Sequence, residues 1–169
     1  MKRNNNYSFN YEPELTGYLD NIGYVPFDKT DIYKITLWKV ARVPHISDGI
    51  LNELNSLAYV KSIDDIKEKK HIVAVLQNLL KCKGVRLPMA STYLRFRNPT
   101  IFQIIDRHVW YQVYHEEYVE SSNIDVQVSK YLDYLRDLRN LSKKEGVKFF
   151  DADRYFYMKD KKEGHKLKY

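Results

Sequence analysis

Apolar residues recur along this chain at three- and four-residue spacing, the period that gathers side chains on one face of an α-helix. The clearest run is Val128, Tyr131, Leu132, Leu135, Leu138 and Leu141, which predicts a long amphipathic helix ending before Gly146. Ile72, Val73, Val75, Leu76, Leu79 and Leu80 predict the most apolar helix, stopping at Gly84. Upstream, Ile32, Ile35, Leu37, Trp38 and Val40 follow a polar, cap-like Asp28–Asp31 stretch, and Pro44 closes that helix. Ser47 and Asp48 cap a helix carrying Ile50, Leu51, Leu54 and Leu57, and Ser62 to Asp65 start another short one. Pro88 suits the first turn of a helix through Ala90, Tyr93, Leu94 and Phe96, which Asn98-Pro99 breaks. Further helices are expected from Ile104 to Tyr118 and from Asp151 to about Lys161. Residues 1–26 carry Gly17, Gly23 and two prolines and read as an arm of loop and short helical turns. Residues 159–169 read as a basic, frayed tail. No pair of runs alternates with period two, so the expected fold is all-α, a compact multi-helix single domain spanning 1–169.

Composition agrees with a globular chain. The 169 residues, 44% hydrophobic and 30% charged, suffice for one domain with a sizeable core. No apolar run reaches transmembrane length, and the polar start MKRNNNYSFN lacks the apolar centre of a signal peptide. Cys82 is the single cysteine, which excludes an internal disulfide and an all-cysteine iron–sulfur site. A cytoplasmic, monomeric protein without membrane association is expected. The fifteen tyrosines, at helical spacing, suit a core with a wet edge better than a set of base-stacking rings.

Charge distribution changes the picture more than composition does. Between Glu68 and Asp106 there is no acidic residue, while Lys69, Lys70, Lys81, Lys83, Arg86, Arg95 and Arg97 contribute seven positive charges against a net +6 for the whole chain. Inside this stretch the turn KGVR separates two helical patterns, and the stretch ends on the lone carboxylate of IIDRHVW. A short turn between helices exposes backbone N–H groups, and the following helix adds its positive N-terminal end; together they attract a phosphate. Such a device positions a nucleic-acid backbone without reading bases.

KGVRLPMASTYL followed by IIDRHVWYQVYHEEY resembles the helix-hairpin-helix base-excision DNA glycosylases, the superfamily of endonuclease III and 8-oxoguanine glycosylase. Gly84, Val85, Ala90 and Leu94 fall on the hairpin positions, and Asp106, His108, Val109 and Trp110 on the aspartate motif; the resemblance covers roughly Val73 to Tyr118. It implies a protein that binds double-stranded DNA through Lys83, Gly84, Val85, Arg86, Ala90, Ser91 and Arg95. A damaged or mismatched base would be flipped out and its N-glycosidic bond hydrolysed. Asp106 would stabilise the oxocarbenium-like transition state as a carboxylate held ionised by Arg86, Arg95, Arg97 and Arg107. The early helix would line the base pocket with Trp38, Lys39 and Arg42, joined by His108. No cofactor and no metal are expected, with room left for a monovalent cation at the hairpin.

Two departures narrow that expectation. Strand-cleaving members place a nucleophilic lysine where this chain has Pro88, so a monofunctional enzyme is implied. Arg86 replaces the second hairpin glycine. The alternative is a non-catalytic helix-hairpin-helix DNA-binding protein, in which Asp106 is only a helix cap, His108 a packing residue and Trp38 core. His71, His108, His115, Glu116 and Glu117 lack the spacing of a two-histidine, one-carboxylate metal site and read as a solvated face.

Overall fold

The computed structural model describes residues 12–23, 26–40 and 43–167. Among them the chain is all-helical, with eight α-helices, two 3₁₀ turns and no strand. Among the described residues no helix is long and apolar enough to cross a membrane. Internal contacts gather the chain into two units, Met1–Pro44 and His45–Tyr169.

The first unit contains α1 (Pro13–Asp20) and α2 (Lys29–Lys39), so the arm expected to be mostly loop holds a formed helix. Asp28 and Asp31 make a reciprocal capping box at the start of α2, each carboxylate accepting the other's backbone N–H. The Asp28 amide, and after it the Tyr18 hydroxyl at 2.7 Å, holds the Asp31 carboxyl below its ordinary value. The Trp38 indole N–H donates to Thr16 Oγ1 at 2.9 Å, a second tie between the two helices.

The second unit is built from α3 (Asp48–Ser56), α4 (Ile66–Lys81), α5 (Leu87–Arg97), α6 (Arg107–Tyr114), α7 (Ile124–Lys144) and α8 (Ala152–Glu163). Four of these start on a side-chain cap, from Ser47, Asp65, Asp106 and Asn123. The short helix expected from Ser62 is instead the cap of α4: the Glu68 carboxylate folds back to accept the N–H groups of Lys61 and Ser62. The helix expected from Ile104 to Tyr118 is shorter at both ends, because Asp106 caps it and His115 ends it with a left-handed φ of 56°. Leu57, Ile72, Leu76, Leu79, Leu87, Leu94, Leu135, Leu138 and Phe156 form the fully buried centre. Asn98 stops α5 and donates to the buried carbonyls of Leu57 and Val60.

One buried segment is not helical. Residues 102–105 run from α5 to α6 through the core, and their backbone groups must find partners outside a helix. The Tyr131 hydroxyl donates to Gln103 O at 2.9 Å and the Tyr134 hydroxyl to Ile104 O at 2.6 Å. Burial keeps both phenols protonated, with pKa values well above the ordinary tyrosine range. Ile105 N–H donates to Ser91 Oγ at 3.1 Å, and Ile104 N–H to Asp153 at 3.3 Å. Tyr131→Phe keeps the ring and removes only the donor to Gln103. It should cost about 1–3 kcal/mol, the penalty of an unsatisfied buried carbonyl. Urea unfolding should show a lower midpoint with an unchanged slope.

Candidate functional site

The turn between α4 and α5 spans residues 82–86. Gly84 adopts a φ of +84°, a conformation that L side chains rarely take, so glycine is required there. Cys82 and Val85 point inward and are buried, while Lys81, Lys83 and Arg86 stand exposed. Pro88 occupies the first turn of α5, and Arg86 at its N-cap gives no side-chain cap. This helix end therefore carries no side-chain cap and stands beside three exposed cations. The Lys83 carbonyl accepts the His45 N–H at 3.0 Å, which anchors the turn to the loop before α3.

The remaining residues of the basic stretch divide sharply. Arg95 is 4% exposed; its guanidinium lies 3.4 Å from Asp153 Oδ2 and donates to Phe150 O at 3.2 Å. Ala90 and Ser91 are fully buried, and Ser91 links the first turns of α5 to Ile105. Arg97 donates to Asn55 O at 2.9 Å. Arg86 reaches Glu120 at 3.1 Å with its side chain 80% exposed. The arginine field expected around Asp106 is thus spent elsewhere: Arg95 on Asp153, Arg86 on Glu120 and Arg97 on a carbonyl. Arg95 and Ser91 are buried and hold the fold together, so neither belongs to the exposed cationic group at the turn.

Asp106 is half-buried at the start of α6, where its Oδ1 accepts the His108 N–H at 2.8 Å. It also lines a cavity of about 280 Å³ together with Ile104, Val109, Asp153, Arg154, Tyr157 and Met158. The walls are mostly apolar, from α6 on one side and α8 on the other. That volume sits just below the roughly 300 Å³ at which small-molecule sites begin, so the space suits one flat ring. The cap uses one carboxylate oxygen, Oδ1.

His108 faces away from that cavity. Its ring is buried, with Nδ1 2.6 Å from Asp160 Oδ2, and its edge meets the Tyr157 ring at a centroid distance of 5.1 Å. Asp160 also receives Gln112 on Oδ1 at 2.9 Å and His165 on Oδ2 at 3.1 Å. Burial pushes the Asp160 carboxyl up, but the bonds from Gln112, His108 and His165 together bring it below its ordinary value. The tail expected to be frayed is helical through Glu163, and His165 beyond it stacks on Tyr111 at 3.5 Å. A solvated face therefore does not describe His108, which sits in a buried polar cluster that the sequence spacing concealed. Trp38 is half-buried and Lys39 exposed within the first unit; Arg42 lies outside the described residues.

Trp110, placed on the aspartate motif, is 5% exposed and stacks over Tyr134 at 6.1 Å, with Tyr114 and Tyr118 around it. It is core.

Arg95→Met leaves the buried Asp153 carboxylate without its cation and should cost about 3–5 kcal/mol. Arg86→Met, at an exposed pair, should fall within about 0.5 kcal/mol of wild type. Chemical denaturation of the two variants side by side separates the structural arginine from the surface one. Compared with protein-family models, curated proteins and solved structures, the chain finds no match.

Proposed function

We propose that this protein binds duplex DNA through the turn at residues 82–86 and removes a damaged or mismatched base, as a monofunctional DNA glycosylase of the helix-hairpin-helix type. The observation that carries this reading is the Asp106 carboxylate in the wall of the 280 Å³ cavity. A base rotated out of the duplex needs an apolar slot of that kind, and an anion beside it would stabilise positive charge developing on the sugar. Support comes also from the turn, where Lys81, Lys83 and Arg86 surround the uncapped N-terminal end of α5. Ser91 ties that helix to Ile105, the residue before Asp106, so phosphate grip and carboxylate share one rigid frame. With Pro88 where a Schiff-base lysine would stand, the expected product is an abasic site in an uncut strand.

The competing reading, a DNA binder without catalysis, is favoured by the cap that Asp106 provides to α6. Asp106→Asn distinguishes the two, because asparagine caps as well as aspartate and removes only the charge. Base release from duplexes carrying uracil, oxidised, alkylated or mismatched bases should vanish in the variant, while melting temperature and duplex affinity stay near wild type. Wild-type protein that binds duplex but releases nothing from this panel would leave the binder.

Lys83→Ala and Arg86→Ala should each weaken binding to any duplex sequence and reduce the slope of log K against log salt by about 1. An unchanged slope removes the turn from the interface. Wild-type binding without any salt dependence would end both DNA readings.

A further inference from the structure

The buried cluster behind α6 belongs to neither the turn nor the Asp106 cavity. His108 Nδ1 and His165 Nδ1 converge on the same oxygen of Asp160, at 2.6 and 3.1 Å. The three side chains are 10%, 15% and 0% exposed for His108, His165 and Asp160. One donor atom from each lies within 4.8 Å of the others. We propose that His108, Asp160 and His165 form a binding site for a divalent transition-metal ion of the zinc class.

The donor set selects the ion. Two imidazole nitrogens and one carboxylate oxygen suit zinc, cobalt or iron, whereas magnesium and calcium prefer all-oxygen shells. Around a tetrahedral ion with bonds near 2.0–2.2 Å, neighbouring ligand atoms stand roughly 3.3 Å apart. The His165–Asp160 spacing already approaches this, and the His108–Asp160 spacing has to widen by less than about 1 Å.

The surrounding contacts match those that orient metal ligands. The Gln112 amide donates to Asp160 Oδ1, which leaves Oδ2 as the ligand oxygen. Glu117 Oε1 lies 3.4 Å from His165 Nε2, on the far side of the ring from Asp160. A carboxylate there holds the imidazole with its proton on Nε2, so that Nδ1 presents a lone pair. Binding requires each ring to present its Nδ1 lone pair to the ion and to keep its proton on Nε2. Three protein ligands leave a fourth position for water, the pattern of zinc sites that remain open.

The site is independent of the glycosylase reading and is tested without DNA. Tag-free full-length protein, treated with chelator and dialysed, is titrated with Zn²⁺ against a chromophoric competitor and with Co²⁺ by visible absorption. One ion per chain is expected, with the intense visible bands of a tetrahedral Co²⁺ site. His165→Ala should weaken Zn²⁺ binding at least about 10-fold, and Glu117→Gln about 10-fold. His71→Ala should leave it unchanged, since His71 is exposed and bonded to Ser56. His165 lies beyond α8, so its removal spares the helices; circular dichroism checks this, and these variants carry the test even where His108→Ala fails to fold. Zn²⁺ should raise the melting temperature of wild type and not of His165→Ala. No uptake by wild type at Zn²⁺ equal to protein, or equal affinity in His165→Ala, overturns the proposal.

Discussion

The arrangement of the second unit depends on burying one stretch of non-helical backbone. Residues 102–105 cross the core with no ladder of their own, and each unpaired backbone group there would cost about 1–3 kcal/mol. Ser91 from α5, Tyr131 and Tyr134 from α7, and Asp153 from α8 supply the partners. Three helices are therefore fixed to one extended segment. Asp153 then needs its own charge balanced, which is why Arg95 is drawn inside. The position of Asp106 follows directly: it is the first residue after the pinned segment and the cap of α6.

From that cap, α6 sends chemistry in two directions. Asp106 and Val109, three residues apart, share the face that lines the cavity. His108 and Gln112, four apart, share another face and meet Asp160 of α8. Tyr157 stands between, lining the cavity on one side and touching His108 on the other. A single short helix thus separates a mostly apolar slot, lined by the Asp106 and Asp153 carboxylates, from a buried polar cluster, and α8 closes both.

Much of the helical architecture was legible in the sequence because the helices obey a local period. The α7 run from Val128 to Leu141 and the stop at Asn98-Pro99 needed only neighbours along the chain. What was not legible depends on distant partners. The acid-free stretch looked uniformly available for phosphate because Asp153 and Glu120, which engage Arg95 and Arg86, lie outside it. His108, Asp160 and His165 come from α6, from α8 and from beyond α8, so no spacing rule joins them. Boundaries failed where a carboxylate folded back: Glu68 turned an expected short helix into a cap, and Asp106 trimmed the start of α6.

The same arithmetic decides which charges remain available to a polyanion. The Arg86–Glu120 pair is exposed and contributes at most about 1 kcal/mol, so Arg86 can leave it for a phosphate at little cost. Drawing Arg95 outward would strand Asp153 in the core, a loss of about 3–5 kcal/mol that one phosphate contact does not return. Seven cations in the sequence thereby shrink to a smaller, located set, in which Lys81, Lys83 and Arg86 flank the start of α5, a helix end without a side-chain cap. With Arg95 buried, the exposed charge of the segment stands at three places: Lys69 and Lys70 in the first turns of α4, Lys81, Lys83 and Arg86 around the turn, and Arg97 at the far end of α5.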